Sequence, residues 1–173
     1  MEVERKINDK IVKLVQGDVT DLEIEAFVFY ARNDLNLGSG YGGAIAVRGG
    51  PSIQDELKKL DAVETGEAVI TGAGNMKAKH IIHAVGPKFQ EENQEKLLQQ
   101  TMESTLKLAE ENGLKALAFP PMGVGFYGVP PEISARIMIE AFNAHLSEQS
   151  GLEEIVICVY DALHFDAFKA KLT

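Results

Sequence analysis

Apolar residues fall into two kinds of segment along the chain. Short runs rich in β-branched and aromatic residues predict strands, and longer stretches with apolar residues every three or four positions predict helices. The predicted strands are 2–7, 10–16, 26–30, 68–71, 80–85, 116–119 and 155–160. The predicted helices are a short one ending at 47, one starting at 51, and the segments 92–112, 131–147 and 162–172. Because strands and helices alternate along most of the chain, the pattern predicts an α/β fold with a mixed, mostly parallel central sheet covered on both faces.

Individual helices can be placed by their apolar faces. The helix that begins at Pro51 is expected to place Ile53, Leu57 and Leu60 on one face.

The two opening strands surround the turn Asn8-Asp9, so they predict a hairpin that adds an antiparallel piece to the sheet. After the second strand, Asp18 or Thr20 could cap a short helical turn.

Two glycine-rich loops follow predicted strands. The first, Leu37–Gly43, contains four glycines in its last six positions, and the second spans Pro120–Gly128. Consecutive N–H groups in such turns form a concave site that suits an anion, and a following helix N-terminus adds its dipole. Ligands of open α/β sheets bind beyond the carboxyl ends of the strands, where both loops are expected to lie. The two loops together therefore predict a site for the phosphates of a nucleotide-like ligand.

Composition and charge limit the classes of function that the chain can have. A length of 173 residues is typical of one domain, so a single domain 1–173 is expected. The net charge of -9 argues against non-specific electrostatic binding to nucleic acid, so no nucleic-acid partner is required for the expected function. Cys158 is the lone cysteine, which fits a reducing compartment. No run approaches a membrane span and the N-terminus lacks a signal peptide, so a cytoplasmic protein with no membrane partner is expected.

Two other site classes can be weighed from spacing. Gly38-x-Gly40-x-x-Gly43 fits the dinucleotide fingerprint, but seven residues separate the preceding strand from Gly38, and the region near Leu60 is predicted to be helical. A nicotinamide-dinucleotide oxidoreductase is thus a minor alternative, and no cofactor is expected. His80 and His83 are three positions apart on a strand, so they point to opposite faces and predict no metal site.

Four stretches, in order, resemble a macro domain, the ADP-ribose-binding module. They are the turn Gly17–Thr20, the loop Leu37–Ile45, the strand Lys79–Pro87 and the loop Ala118–Pro130. The resemblance implies the three-layer α/β/α macro-domain fold and an ADP-ribose site. The ligand would be ADP-ribose or a derivative, and an ADP-ribosylated protein is a further partner to consider.

The resemblance also implies roles for residues. Asp18 would accept a hydrogen bond from the adenine amino group beside the Val19 N–H, and Tyr160 would stack on adenine. The two loops would bind the diphosphate between them, and Phe126 and Tyr127 would line the site of the distal ribose. Structural alternatives are a helix cap for Asp18 and core packing for Tyr160 or Phe126. The residues expected to contact the ligand are Asp18, Val19, Arg32, Asn33, Gly38, Ser39, Gly40, Tyr41, Gly42, Gly43, Pro121, Met122, Gly123, Val124, Gly125, Phe126, Tyr127 and Tyr160.

The chain departs from the family pattern where the chemistry of its hydrolases is located. The family's Asn-Ala-Ala-Asn is matched here by Phe29–Arg32, so Arg32 stands where the active-site Asn would be, with Asn33 one position later. Gly42 replaces the loop Asp of the subclass that acts on proteins. Arg32 could contact a phosphate or ribose hydroxyl, or form a surface ion pair with Asp34 or Glu25. Catalytic residues therefore stay unknown, and binding without chemistry is favoured over hydrolysis of O-acetyl-ADP-ribose, ADP-ribose 1″-phosphate or ADP-ribosylated protein.

Overall fold

A computed structural model describes all 173 residues and places seven strands in one sheet. The strands are β1 (Glu2–Ile7), β2 (Lys10–Gln16), β3 (Ala26–Tyr30), β4 (Ala68–Gly72), β5 (His80–Ala84), β6 (Ala116–Phe119) and β7 (Glu154–Val159). Their order across the sheet is β1-β2-β7-β6-β3-β5-β4. The five strands from β2 to β5 in this order run parallel, and β1 and β4 pair antiparallel at the two edges. The predicted mixed, mostly parallel sheet is confirmed.

Five helices cover the two faces of the sheet. They are α1 (Tyr41–Gly49), α2 (Pro51–Lys58), α3 (Gln94–Glu111), α4 (Pro131–Leu146) and α5 (Ala162–Leu172). The side chains of α3, α4 and α5 share one apolar core with Val28 of β3, whereas those of α1 and α2 share the other with its neighbour Phe27. Successive residues of one strand thus enter different layers, as the period of two requires. No helix in the chain combines the length and apolarity needed to cross a membrane.

Three details differ from the expectations. The strand β4 joins β5 through residues 73–79, with no helix between them, and runs antiparallel to it, which the alternation of elements did not predict. The helix α2 ends at Lys58, so Leu60 lies beyond its last turn and is 41% exposed instead of joining the apolar face. The helix α1 continues past Val47 to Gly49, and Val47 faces outward.

Candidate functional site

A cleft opens where two central strands separate. The ladder between β3 and β6 contains only two residue pairs, Ala26 with Leu117 and Phe27 with Ala118, whereas β3 pairs with β5 along its whole length. Beyond these pairs a cleft of about 390 Å³ lies at the carboxyl ends of both strands. Its lining residues are Phe29, Tyr30, Arg32, Leu37, Gly38, Ser39, Gly40, Tyr41, Pro120, Pro121, Gly123, Val124, Phe126 and Tyr127. Both glycine-rich loops therefore border one cleft at the sheet edge where ligands of such folds bind.

The first loop presents backbone donors to this cleft. The N–H groups of Ser39 and Gly40 donate to no protein acceptor, and Ala44 is the first residue of the following turn to donate, to the Gly40 carbonyl at 3.1 Å. The first N–H groups of α1 have no intrahelical acceptor because of their position. Gly42 allows this arrangement, since a Cβ there would lie 1.6 Å from the Leu37 carbonyl oxygen. The loop thus combines free N–H groups with the positive end of a helix dipole.

The second loop contributes donors from the opposite wall. The N–H groups of Gly123, Gly125, Phe126 and Tyr127 donate to no protein acceptor. The turn is closed by hydrogen bonds from Gly128 to the Gly125 carbonyl at 2.9 Å and from Val129 to the Gly123 carbonyl at 2.9 Å. Gly123 has φ +79, where a side chain would be strained and would meet Val129. An anion between the two loops would therefore meet N–H groups from both sides.

Aromatic rings form one end of the cleft. The rings of Tyr30 and Tyr127 have centroids 4.3 Å apart, and Tyr127 meets Phe126 edge-on at 5.2 Å. Tyr30 is buried and donates its hydroxyl to the Pro87 carbonyl, and burial raises its pKa above the ordinary value. Phe126 is 87% exposed at the rim, so it does not serve the core packing considered as the alternative.

A polar network lies beyond the other end, next to Tyr41. Asp18 caps a 3₁₀ turn, Val19–Asp21, and its Oδ1 accepts from the Thr20 N–H at 2.9 Å and from the Thr20 hydroxyl at 2.6 Å. The Arg48 Nη1 donates to Thr20 Oγ1 at 2.8 Å and lies 3.4 Å from Asp18 Oδ2. Partial burial opposes ionisation of Asp18, but these hydrogen bonds and the Arg48 charge outweigh it and lower its pKa.

Tyr41 connects this network to the cleft. It lines the cleft, and burial together with the nearby Asp18 carboxylate raises the pKa of Tyr41 to about 12. Tyr160 lies close enough to act on the same hydroxyl, so Asp18, Tyr41 and Tyr160 are grouped at one end. Tyr160 follows β7 and is 71% exposed, which excludes the core-packing role and leaves its ring available.

The predicted site residues divide into two groups. Ten of them line the cleft: Arg32, Gly38, Ser39, Gly40, Tyr41, Pro121, Gly123, Val124, Phe126 and Tyr127. The others do not line it, and they are Asp18, Val19, Asn33, Gly42, Gly43, Met122, Gly125 and Tyr160. The side chains of Val19 and Met122 are buried. Met122 turns into the core beneath α4, where the Ser134 hydroxyl donates to the Met122 carbonyl at 2.8 Å. Contact of either group with a ligand stays a prediction.

A smaller pocket lies beside the aromatic end. This side pocket, of about 200 Å³, is lined by Ala31, Arg32, Asn33, Asp34, Gly86, Lys88 and Tyr127. Arg32 and Tyr127 belong to both cavities. The Arg32 guanidinium contacts Asp34 Oδ2 at 2.8 Å, which is one of the two ion pairs considered from the sequence. The other candidate, Glu25, instead accepts from the Lys115 N–H at 2.6 Å and from the Ala116 N–H.

Several residues of the site were missed from the sequence. Phe29, Tyr30, Leu37 and Pro120 line the cleft, and Arg48 holds the Asp18 carboxylate. The position of Tyr30 at the carboxyl end of a predicted central strand was an available signal. Arg48 gave none, because nothing in the local pattern shows which loop a helix side chain will reach.

The cleft lining contains no carboxylate and no imidazole. His83 is fully buried on β5, with its Nε2 2.9 Å from the Thr71 hydroxyl, whereas its neighbour His80 is exposed. The glycine fingerprint also lacks its context, because Gly38 is well past the end of β3 and the helix α2 follows where a second strand would be needed. The arrangement therefore suits an anion held by backbone donors more than proton transfer by side chains.

The fold is that of a macro domain, and the chain belongs to this family. The family model described as "Macro domain" matches residues 31–138. A macro domain-containing protein of Caldanaerobacter subterraneus is 40% identical over 91% of this chain and 93% of its own length. O-acetyl-ADP-ribose deacetylase 1 of Pantoea vagans is 34% identical over 92% of this chain and 96% of its own length. Among solved structures, the Oceanobacillus iheyensis macrodomain with ADP superposes with a TM-score of 0.94 at 26% identity, covering 99% of this chain and 95% of that one.

Proposed function

We propose that this protein binds ADP-ribose, or a closely related metabolite, in the cleft between the two glycine-rich loops. The observation that carries the proposal is the pair of loops with unpaired N–H groups, from Ser39 and Gly40 on one side and from Gly123, Gly125, Phe126 and Tyr127 on the other. In a chain of net charge -9, aimed backbone dipoles are the means of holding a diphosphate without a basic field. The ADP in the similar structure and the substrate in the relative's name support the same ligand class.

The two ends of the cleft suggest the ligand's direction. Adenine would lie at the Tyr41 end, where the Asp18 carboxylate can accept from the exocyclic amino group and the exposed Tyr160 ring can cover the base. The distal ribose would lie at the opposite end, against Phe126 and Tyr127. Side-chain hydrogen bonds from Thr20 and Arg48 hold the Asp18 carboxylate in place, and a third joins Arg48 to Thr20, so this acceptor is oriented before the ligand arrives.

Titration calorimetry with ADP-ribose tests the proposal. The protein is expected to bind ADP-ribose more tightly than GDP-ribose, because guanine lacks the exocyclic amino donor that adenine would present to Asp18. Asp18→Asn should weaken binding roughly tenfold or more, since hydrogen bonds to a charged group are worth about 1.5–3 kcal/mol. Asp21→Asn is the matched control, because Asp21 is three positions away and exposed in a pair with Lys77. No heat with the unmodified protein at high micromolar ADP-ribose would reject the function.

A hydrolase acting on the same ligand class is the second candidate. It is favoured by the relative named as an O-acetyl-ADP-ribose deacetylase, which matches along nearly its whole length. It is disfavoured by the absence of carboxylates and imidazoles from the cleft lining and by Arg32 and Gly42 at the family's catalytic positions. Release of acetate, phosphate or free ADP-ribose would be followed with and without Arg32→Ala. Rates equal to buffer alone would eliminate catalysis and leave binding intact.

Two broader expectations belong to the same proposal. An ADP-ribosylated protein could present its ADP-ribose to the cleft from the open side, where Phe126 stands at the rim. We place the protein in the cytoplasm on the ground of its lone Cys158, which is buried and unpaired.

A further inference from the structure

A chain of hydrogen bonds fixes the orientation of the Asp18 carboxylate next to the cleft. Its Oδ1 accepts from the Thr20 N–H at 2.9 Å and from the Thr20 hydroxyl at 2.6 Å, so both lone pairs of this oxygen are used. Its Oδ2 has one protein partner, the Arg48 Nη1, at the longer distance of 3.4 Å. Oδ2 is therefore the oxygen that keeps acceptor capacity for a ligand.

This chain of hydrogen bonds begins at Arg48. The Arg48 Nη1 donates to Thr20 Oγ1 at 2.8 Å, while the hydroxyl proton of Thr20 is donated to Asp18. Thr20 is buried, so its hydroxyl has no access to solvent as an alternative partner. Hydrogen bonds arranged head to tail polarise one another, and the Arg48 donor thus strengthens the bond from Thr20 to Asp18. Arg48 acts on both carboxylate oxygens, directly on Oδ2 and through Thr20 on Oδ1.

Arg48 is also the only basic side chain with a nitrogen within 4.0 Å of Asp18. The other titrating groups that interact with Asp18 are Tyr41 and Cys158, and burial raises the pKa of each to about 12, so both are neutral at pH 7. Without Arg48, the effect of burial on Asp18 would be opposed by Thr20 alone. An ionised carboxylate is a stronger acceptor than a neutral one, and Arg48 helps to keep Asp18 ionised.

The helix α1 connects this network to the anion site. Its first turn follows Gly40, whose N–H is free, and Arg48 lies in its last turn. One helix of about 13 Å therefore presents its N-terminus to the diphosphate site and a side chain to the Asp18 carboxylate. A positive charge in the last turn also stabilises a helix through its dipole, which is a purely structural role that a test must distinguish.

We infer that Arg48 is a positioning residue that makes the site selective for adenine. The inference rests on the proposed binding of ADP-ribose with its base beside Asp18. Arg48 does not line the cleft, so it acts through Asp18, whose Oδ2 it keeps ionised and aimed at the exocyclic amino group. A base without this amino group leaves the carboxylate unpaired and gains nothing from Arg48. Removal of Arg48 should therefore reduce discrimination between bases and leave binding of the diphosphate unchanged.

Two ligands isolate the contribution of the base in titration calorimetry. They are ADP-ribose and its purine analogue, in which hydrogen replaces the amino group of adenine. The parent protein should bind ADP-ribose about tenfold more tightly than the analogue, as expected for a hydrogen bond to a charged group. Arg48→Met keeps a long side chain without its charge, and it should reduce this affinity ratio to about threefold, the effect of losing one exposed charge pair. Its affinity for the purine analogue should be that of the parent protein.

Two further variants separate positioning from a structural role. Arg48→Lys keeps the positive charge at the end of α1 and should give an intermediate ratio, whereas a role limited to the helix dipole would change the melting temperature and not the ratio. Arg136→Met is the matched control, because Arg136 lies on α4 and is paired with Glu95 and Glu140. It should retain the ratio of the parent protein.

Three results would overturn the inference while leaving ADP-ribose binding in place. They are a ratio near one in the parent protein, an unchanged ratio in Arg48→Met, and an equal loss of affinity for both ligands in that variant. A ratio that Arg136→Met lowers as much as Arg48→Met does would overturn it as well. Failure of the parent protein to bind ADP-ribose would instead reject the proposed function.

Discussion

Tyr30 and Tyr127 pack ring against ring with centroids 4.3 Å apart, which joins the end of β3 to the second glycine-rich loop. The Tyr30 hydroxyl also donates to the Pro87 carbonyl, so one side chain connects three segments around the cleft. A Cβ at Gly86 would lie 2.3 Å from the Tyr30 ring, which shows how closely the backbone approaches it. The aromatic wall of the cleft is therefore held from inside the core.

Tyr30→Phe should lower the free energy of unfolding by about 1–2 kcal/mol, because it leaves the buried Pro87 carbonyl without its donor. Urea denaturation monitored by circular dichroism measures the change. Tyr160→Phe removes a hydroxyl that is exposed and outside the core, so its stability should match that of the parent protein. Equal stabilities for both variants would show that the Tyr30 hydrogen bond does not contribute.

Gly42 and Gly43 are adjacent in α1 but differ in their surroundings. Gly42→Ala should destabilise the protein by roughly 1–3 kcal/mol, because the added Cβ would lie 1.6 Å from the Leu37 carbonyl oxygen and must displace the loop. Gly43→Ala meets its nearest atom at 3.6 Å, so it should be neutral or stabilising by up to about 1 kcal/mol. Thermal melting of the two variants side by side is the measurement. Similar melting temperatures would contradict the close approach of loop and helix.

Stability should fall in mild acid because of His83. Burial lowers the pKa of His83 to about 4 from its ordinary value of 6.5, so the folded state stays neutral while the unfolded chain takes up a proton. The free energy of unfolding that depends on neutral His83 is therefore fully present above pH 6.5. It is lost as the pH falls towards 4, by about 3 kcal/mol in all. Urea denaturation at a series of pH values between 7 and 4 gives the slope.

Two histidine variants on β5 distinguish the effect of His83 on the pH dependence of stability from that of other titrating groups. His83→Gln should flatten the slope between pH 6.5 and 4, whatever its effect on stability at pH 7. His80→Gln changes an exposed histidine three positions earlier on the same strand, so the slope should persist. A slope that both variants leave unchanged would assign the acid sensitivity to other groups.

Phe126 should matter for binding and not for folding. Since its ring is 87% exposed, Phe126→Ala should change the free energy of unfolding by less than about 0.5 kcal/mol. The same variant should weaken ADP-ribose binding roughly fivefold by removing the aromatic wall of the distal ribose. Val47→Ala is the control, because Val47 is as exposed but lies on α1 outside the cleft lining. Calorimetric titration of both variants tests the difference.

The secondary-structure elements and the positions of the two glycine-rich loops can be predicted from the amino-acid pattern alone. Strands such as Ala26–Tyr30 and helices such as Gln94–Glu111 follow from apolar periodicity, because burial of one face or of both must be written into the spacing of side chains. Glycine runs after two parallel strands place both loops at one edge, since the carboxyl ends of parallel strands share that edge. The macro-domain motifs also lie in these segments, so family and fold could be predicted together.

The contacts between those segments, in contrast, are visible only in the folded chain. Periodicity shows which face of an element is buried but not which element covers it, so the antiparallel pairing of β4 and the early end of the β3–β6 ladder were not predictable. The same reason explains why Met122 lies buried in its loop while Phe126 is exposed. The reach of Arg48 to Thr20 and the shared wall of the cleft and the side pocket at Arg32 likewise join residues far apart in the chain. Side-chain neighbours across such distances are fixed by packing, and no local pattern encodes them.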